Sequence, residues 1–206
     1  MIKFVIFDLW QTLAYRDAKY GTAIQILKAA QVKLPKTKAI KIFEQSLQLK
    51  KWKSKKQAYT NLCKNIGLKI TNQNIDWLMN MRDYAEARTK LYPYATTLLK
   101  KLKQGGYKIG LISNSSVFEV RQIKKTNILK YINYPLFSFG VRVIKPNLKF
   151  FKTMLKIAKC KPNKALMIGD KLNDDVIPAR KLGLKAIRFK NYNQLKKSLV
   201  RLKINI

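Results

Sequence analysis

Residues 2–8, IKFVIFD, form an almost continuous β-branched and aromatic run that ends in an aspartate. A short apolar run without polar alternation predicts a strand buried on both faces, as in a parallel sheet. The form returns at 107–113, YKIGLIS, ending in a small polar residue, at 165–170, ALMIGD, and in a shorter KAIRF at 185–189. Between and after these strands, apolar residues recur at helical spacing over 94–104, 117–126, 148–159, 174–182 and 193–203. Gly105 and Gly106 punctuate the first of these helices and Gly183 ends the fourth. Strands alternating with helices of this length predict a doubly wound parallel α/β sheet.

Residues from about 15 to 91 break the alternation and read as amphipathic helices over roughly 20–34, 37–52, 54–66 and 72–90. Pro35 and Gly67 mark two of the breaks. The pattern predicts an all-helical module, residues 15–91, inserted into a core made of residues 1–14 and 92–206. The chain shows no internal repeat and no low-complexity linker.

A chain of 206 residues supports one good core and a modest second module. Its 47% apolar and 26% charged residues are ordinary globular composition. The first residues run straight into a strand, leaving no room for a secretory leader, and no apolar run is long enough to cross a bilayer. Cys63 and Cys160 lie far apart without metal-type spacing, so neither a disulfide framework nor a cysteine metal site is expected. The expectation is a cytoplasmic protein without membrane contacts.

Charge changes the picture. Lysine and arginine number 44 against 10 acids, a net +34, and histidine is absent, which excludes it as acid, base or metal ligand. Such a field concentrates anions, from phosphate esters to nucleic acids. The lysines are spread along the whole chain, so compositional bias is the favoured reading. The segment LKKWKSKKQAY at 49–59 interleaves Trp52 and Tyr59 with lysines, compatible with nucleic-acid binding, although the wet face of a helix with its aromatics turned inward is the commoner case. The acids say more. Asp8, Asp170, Asp174 and Asp175 are four of the ten, and three of them fall within six positions. Carboxylates crowded together in so basic a chain call for a cation or for catalysis.

In open α/β sheets, ligands gather beyond the carboxyl ends of the strands. Those ends carry Asp8, then Ser113 with Asn114, then Lys145 on a loop, then Asp170 with Asp174 and Asp175. Together they resemble the haloacid dehalogenase superfamily. An apolar strand followed by D-x-D-x-T corresponds to FVIFDLWQTL, with Asp8 and Thr12. A strand ending in Ser or Thr corresponds to IGLISNS, with Ser113. A basic residue before proline corresponds to VIKPNLKFF, with Lys145. G-D with a further Asp corresponds to LMIGDKLNDDVIPARKLG, with Asp170 and Asp175. The resemblance implies a Rossmann-like core with a helical cap, and a magnesium-dependent hydrolase acting on a small phosphorylated metabolite. It makes Asp8 the nucleophile of an aspartyl-phosphate intermediate. The implied Mg2+ ligands are an Asp8 carboxylate oxygen, the Trp10 backbone carbonyl and Asp170. Asp175 is expected to act through water or from behind, with Asp174 as the alternative at that spacing. Lys145 would hold the phosphate beside Asp8, and Ser113, Asn114 and Thr12 would line the phosphoryl oxygens.

Trp10 departs from the pattern, because phosphatases that this chain resembles carry there the aspartate that protonates the leaving alcohol. Indole is a donor only and does not titrate usefully. General acid–base help is worth ~10²–10⁴ in rate, so its loss implies a slow phosphatase. Two other readings stand beside this one: a 2-haloacid dehalogenase-like hydrolase that displaces halide at carbon, and a catalytically weak basic protein that binds nucleic acid. Tyr15, Arg16 and Arg88 fall near the predicted cap hinges, within reach of a substrate, although ordinary surface roles are favoured over substrate contact. Substrate identity and oligomeric state have no signature in the sequence.

Overall fold

A computed structural model describes residues 1–204 of the chain. Strand β1 (Phe4–Phe7) is buried along its whole length, as its unbroken apolar run requires. The chain leaves the sheet through a short strand β2 (Ala14–Arg16) and builds helices α1 (Ala23–Ala29), α2 (Lys36–Gln48), α3 (Lys55–Ile66) and α4 (Asn72–Ala87). It returns through β3 (Thr89–Leu91), which pairs antiparallel with β2 so that Tyr15 faces Lys90. The core then continues with α5 (Ala95–Gln104), β4 (Lys108–Ser113), α6 (Val117–Lys125), β5 (Tyr134–Phe137), a single turn α7 (Ser138–Val141) and α8 (Leu148–Ile157). It ends with β6 (Ala165–Gly169), α9 (Ile177–Lys181), β7 (Lys185–Arg188) and α10 (Tyr192–Arg201).

The main sheet has the order β5-β4-β1-β6-β7, and every neighbouring pair is parallel. The chain moves outward from β1 to β4 and β5, then returns to β6 on the other side. Strand order therefore reverses beside β1, which opens a crevice at the carboxyl ends of β1, β4 and β6. Alternate residues of β1 serve opposite faces: Val5 and Phe7 pack with Leu98, Leu102, Leu195 and Leu199 of α5 and α10. Phe4 and Ile6 pack with Phe150, Phe151 and Met154 of α8. This is the α/β sheet, covered on both faces, that the sequence pattern predicts.

The helices of the insert have their own apolar interior, built from Ile26, Phe43, Leu47, Tyr59, Leu62 and Leu78. Side-chain caps place their starts: Thr22, Ser54 and Thr71 accept hydrogen bonds from the backbone N–H groups of Gln25, Gln57 and Asn74. Phe118 of α6 joins this interior, so the core inserts a ring into the cap.

Several elements differ from expectation. The first cap helix covers only Ala23–Ala29, not 20–34, because Thr22 caps it and Ala30 ends it. The helix expected to run to residue 90 stops at Ala87, where the chain turns into β3. Strand β5 was not anticipated: Pro135 interrupts its pattern, and it is tolerated because β5 lies at the sheet edge. The predicted helix 174–182 opens with a π-helical turn, Leu172–Val176, before α9. Cys63 and Cys160 are both free. Among the described residues, no helix is long and apolar enough to cross a membrane.

Candidate active site

The carboxyl ends of three strands bring the carboxylates together. Asp8 follows β1, and its backbone N–H donates to the Ile168 carbonyl of β6 at 2.8 Å, which ties the two strand ends. Oxygens of Asp8, Asp170 and Asp175 lie within 4.8 Å of one another. The π-helical turn explains why Asp175 faces inward, with no exposure, while Asp174 points to Lys171 at 3.3 Å. Gly169 is required here because a Cβ at this position would lie 2.5 Å from Oδ2 of Asp175.

Lys145 reaches into this cluster. Its Nζ donates to Asp8 Oδ1 at 2.5 Å and to Asp175 Oδ1 at 2.6 Å, and its side chain is only 5% exposed. Asp175 Oδ2 accepts from the Lys171 backbone N–H at 3.0 Å. Asn114 braces the lysine loop: its Oδ1 accepts the Lys145 N–H at 2.8 Å and its Nδ2 donates to the Lys145 carbonyl at 3.4 Å. Three carboxylates thus face one ammonium. Burial pushes Asp8 up to about 7 against the pull of Lys145, with Asp175 and Asp170 adding to the rise. Burial also raises Asp170, and Asp175 reinforces it. Lys145 moves the other way from what burial alone would give, because Asp175 and Asp8 hold its proton. Surplus negative charge in a buried, oxygen-only cluster is the donor set that a hard divalent cation prefers.

A family model described as haloacid dehalogenase-like hydrolase matches residues 5–189. The chain belongs to this family. A protein named glyceraldehyde 3-phosphate phosphatase from Methanothermobacter thermautotrophicus is 32% identical over 97 residues, 47% of this chain and 43% of its own length. This chain thus spans less than half the length of that relative. One of the same name from Methanocaldococcus jannaschii is 26% identical over 197 residues, covering 91% of this chain and 85% of that protein. Among solved structures, a haloacid dehalogenase family enzyme of Bacteroides thetaiotaomicron, in complex with magnesium and inorganic phosphate, superposes with a TM-score of 0.66 at 19% identity, over 95% of this chain and 99% of that one. Solved structures of a phosphatase and of a 2-haloacid dehalogenase share the fold, so fold likeness does not choose between those chemistries.

In this haloacid dehalogenase-like hydrolase a cavity of about 360 Å³ opens above the cluster, with Asp8, Asn114, Lys145 and Asp170 on its floor and Arg16, Phe43, Glu44, Gln48 and Arg82 on its cap side. Trp10 is anchored in its wall: the indole N–H donates to Ser115 Oγ at 2.9 Å, and the Arg16 guanidinium stacks 3.6 Å over the ring. Ser115 in turn shares a hydrogen bond of 2.8 Å with Ser113, so Ser113 is fully buried and joined to Trp10. Thr12 is also buried; its hydroxyl has no partner among the described residues, and its carbonyl accepts from the Tyr94 hydroxyl at 2.5 Å.

Arg16 belongs to a buried ion network rather than to the surface. Its guanidinium donates to Glu119 Oε1 at 2.5 Å, and Arg82 of the cap donates to the same oxygen. Arg82 also donates to the Gly21 carbonyl at 3.2 Å and lies 3.5 Å from Glu86. Burial lowers Arg16 to about 10, helped by Arg82 and opposed by Glu119. Burial would raise Glu119, but Arg82 and Arg16 outweigh it and hold the carboxyl below its ordinary range. Of the other hinge residues, Tyr15 packs on Tyr92 and Arg88 lies exposed on Tyr84. The sequence reading missed Glu44, Gln48, Arg82 and Glu119. The Ser116–Glu119 capping box was visible as S-x-x-E, but its two arginine partners come from distant segments. Tyr59 is buried in the cap interior, away from any base it might stack on.

Proposed function

We propose that the chain is a cytoplasmic, magnesium-dependent phosphatase of small phosphorylated metabolites, with residues 15–91 as a cap over a catalytic core of 1–14 and 92–206. The observation that carries this reading is the Asp8–Lys145–Asp175 cluster at the strand-order reversal, closed over by a cationic cap. A cavity of about 360 Å³ suits a small ligand. The relatives' name makes a three-carbon sugar phosphate the first substrate to try.

Asp8 is the nucleophile, and Lys145 both orients it and binds the phosphoryl group, an arrangement that neutralises charge where a carboxylate attacks an anion. Asp175 holds Lys145 from behind. Asn114 lines the phosphoryl side and positions the Lys145 loop, while Ser113 and Thr12, buried behind it, would reach the phosphoryl oxygens only on a shift of their hydroxyls. The carboxylates of Asp8 and Asp170 and the backbone carbonyl of Trp10 would hold Mg2+. When bound, that ion offsets the cluster's surplus negative charge and polarises the phosphoryl group. The Trp10 side chain takes no part in proton transfer. Its aromatic wall favours a second reading, displacement of halide from a 2-haloacid, for which metal-independent halide release is the sign.

Hydrolysis of p-nitrophenyl phosphate and acetyl phosphate, with and without magnesium, tests the proposal. Activity that needs the metal and vanishes in Asp8→Asn supports it. A folded wild type inert on both substrates overturns it.

A further inference from the structure

An alkyl phosphate releases an alkoxide that needs a proton, and the chain has no histidine to give one. The carboxyl groups around the cavity are nearly all committed. Asp8 holds Lys145, Asp170 completes the cluster, Asp174 faces Lys171 and Glu119 sits between two guanidiniums. Glu44 differs. It lies on α2, on the cap side of the cavity, with Oε2 3.5 Å from Asn114 Nδ2 and Oε1 4.0 Å from Lys171 Nζ. Among the described residues no partner holds it at close range, yet Asn114 connects it directly to the loop of Lys145. One turn along α2, Gln48 is 5% exposed and its side-chain carbonyl has no partner among the described residues, leaving an acceptor for a hydroxyl of the leaving group.

We infer that Glu44 is the catalytic acid–base, carried by the cap to the leaving oxygen. The inference rests on the phosphatase reading. In the first half-reaction the Asp8 oxygen–phosphorus bond forms as the ester phosphorus–oxygen bond breaks, and the Glu44 proton passes to the departing oxygen to give an alcohol. In the second, a water oxygen attacks phosphorus, its proton passes to the Glu44 carboxylate, and Asp8 leaves as a carboxylate with inorganic phosphate as product. The environment suits the role. Burial raises Glu44, with Asp174 and Glu119 pushing the same way and Lys171 and Lys145 pulling back. Lys41 and Arg142 line the outer side. A bound phosphate beside Asn114 adds further negative charge and favours the proton-bearing form.

The test compares wild type, Glu44→Gln and Glu44→Asp, loaded with magnesium, in single turnovers of glycerol phosphate and acetyl phosphate. Acetate leaves without a proton; glycerol does not. Glu44→Gln should slow glycerol release by about 10²–10⁴-fold, with Glu44→Asp recovering part of it. Acetate release should stay near wild type. The fall of wild-type rate on glycerol phosphate as rising pH removes the Glu44 proton should disappear in Glu44→Gln. Equal slowing on both substrates, or no slowing on glycerol phosphate, overturns the inference and leaves the phosphatase reading standing. A wild type that turns over neither substrate overturns both.

Discussion

Glu119→Gln isolates the joint between core and cap. The native carboxylate accepts from Arg16 at 2.5 Å, from Arg82, from the Ser116 N–H at 2.6 Å and from Gln48 at 3.4 Å, and its side chain is 3% exposed. The amide keeps the volume but presents an N–H₂ group and no charge to two buried guanidiniums. Removing one member of a buried ion pair costs about 3–5 kcal/mol. Arg82 keeps Glu86 at 3.5 Å, so the lower end applies. A loss of about 3 kcal/mol is a large fraction of the stability of an ordinary domain. At roughly 2–4 °C per kcal/mol for a chain of this size, it lowers Tm by roughly 6–12 °C. Urea titrations should show a lower midpoint at unchanged slope. The effect should also depend on pH. Glu119 titrates lower in the folded than in the unfolded chain, so its stabilisation is complete above the unfolded value and fades as pH falls through the folded one. The gap between wild type and variant therefore narrows in acid. A gap under about 1 kcal/mol at neutral pH, the size of an exposed pair, would refute the buried network.

Two further outcomes follow from the carboxylate cluster. Magnesium at a hundred times its dissociation constant should stabilise the protein by about 2.7 kcal/mol, seen as a rise in Tm. Asp170→Asn should abolish that rise, and a rise that survives would place the ion elsewhere. Gly169→Ala forces a methyl group against Asp175. It should lower stability by about 1–3 kcal/mol and sharply reduce acetyl phosphate turnover. Wild-type melting and turnover together would show that Asp175 has room to move.

The acidic and polar residues at the ends of strands were legible because buried parallel strands write a simple code: an apolar run, then the residue it presents. Asp8, Ser113 and Asp170 could be read that way, whereas Lys145 stands on the loop between α7 and α8 and is read from the resemblance of VIKPNLKFF to a basic residue before proline. The choice between Asp174 and Asp175 depends on a π-helical turn that no periodicity announces. Strand β5 was hidden by Pro135, and β2 and β3, at three residues each, are too short to show alternation. Arg16, Glu44, Arg82 and Glu119 were illegible as a group because 103 positions separate Arg16 from Glu119. Each alone resembles a solvated charge, and only the docking of cap on core reveals that they share one interior.

The antiparallel pairing of β2 with β3 has a consequence for inheritance. The outgoing and returning chains are hydrogen-bonded neighbours, with Ala14 opposite Leu91. A single tight turn could close them. A gene could therefore acquire, lose or exchange everything between these two strands without shifting one residue of the five-stranded sheet. The half that bears Asp8 would keep its chemistry while the exchanged half changed what reaches it.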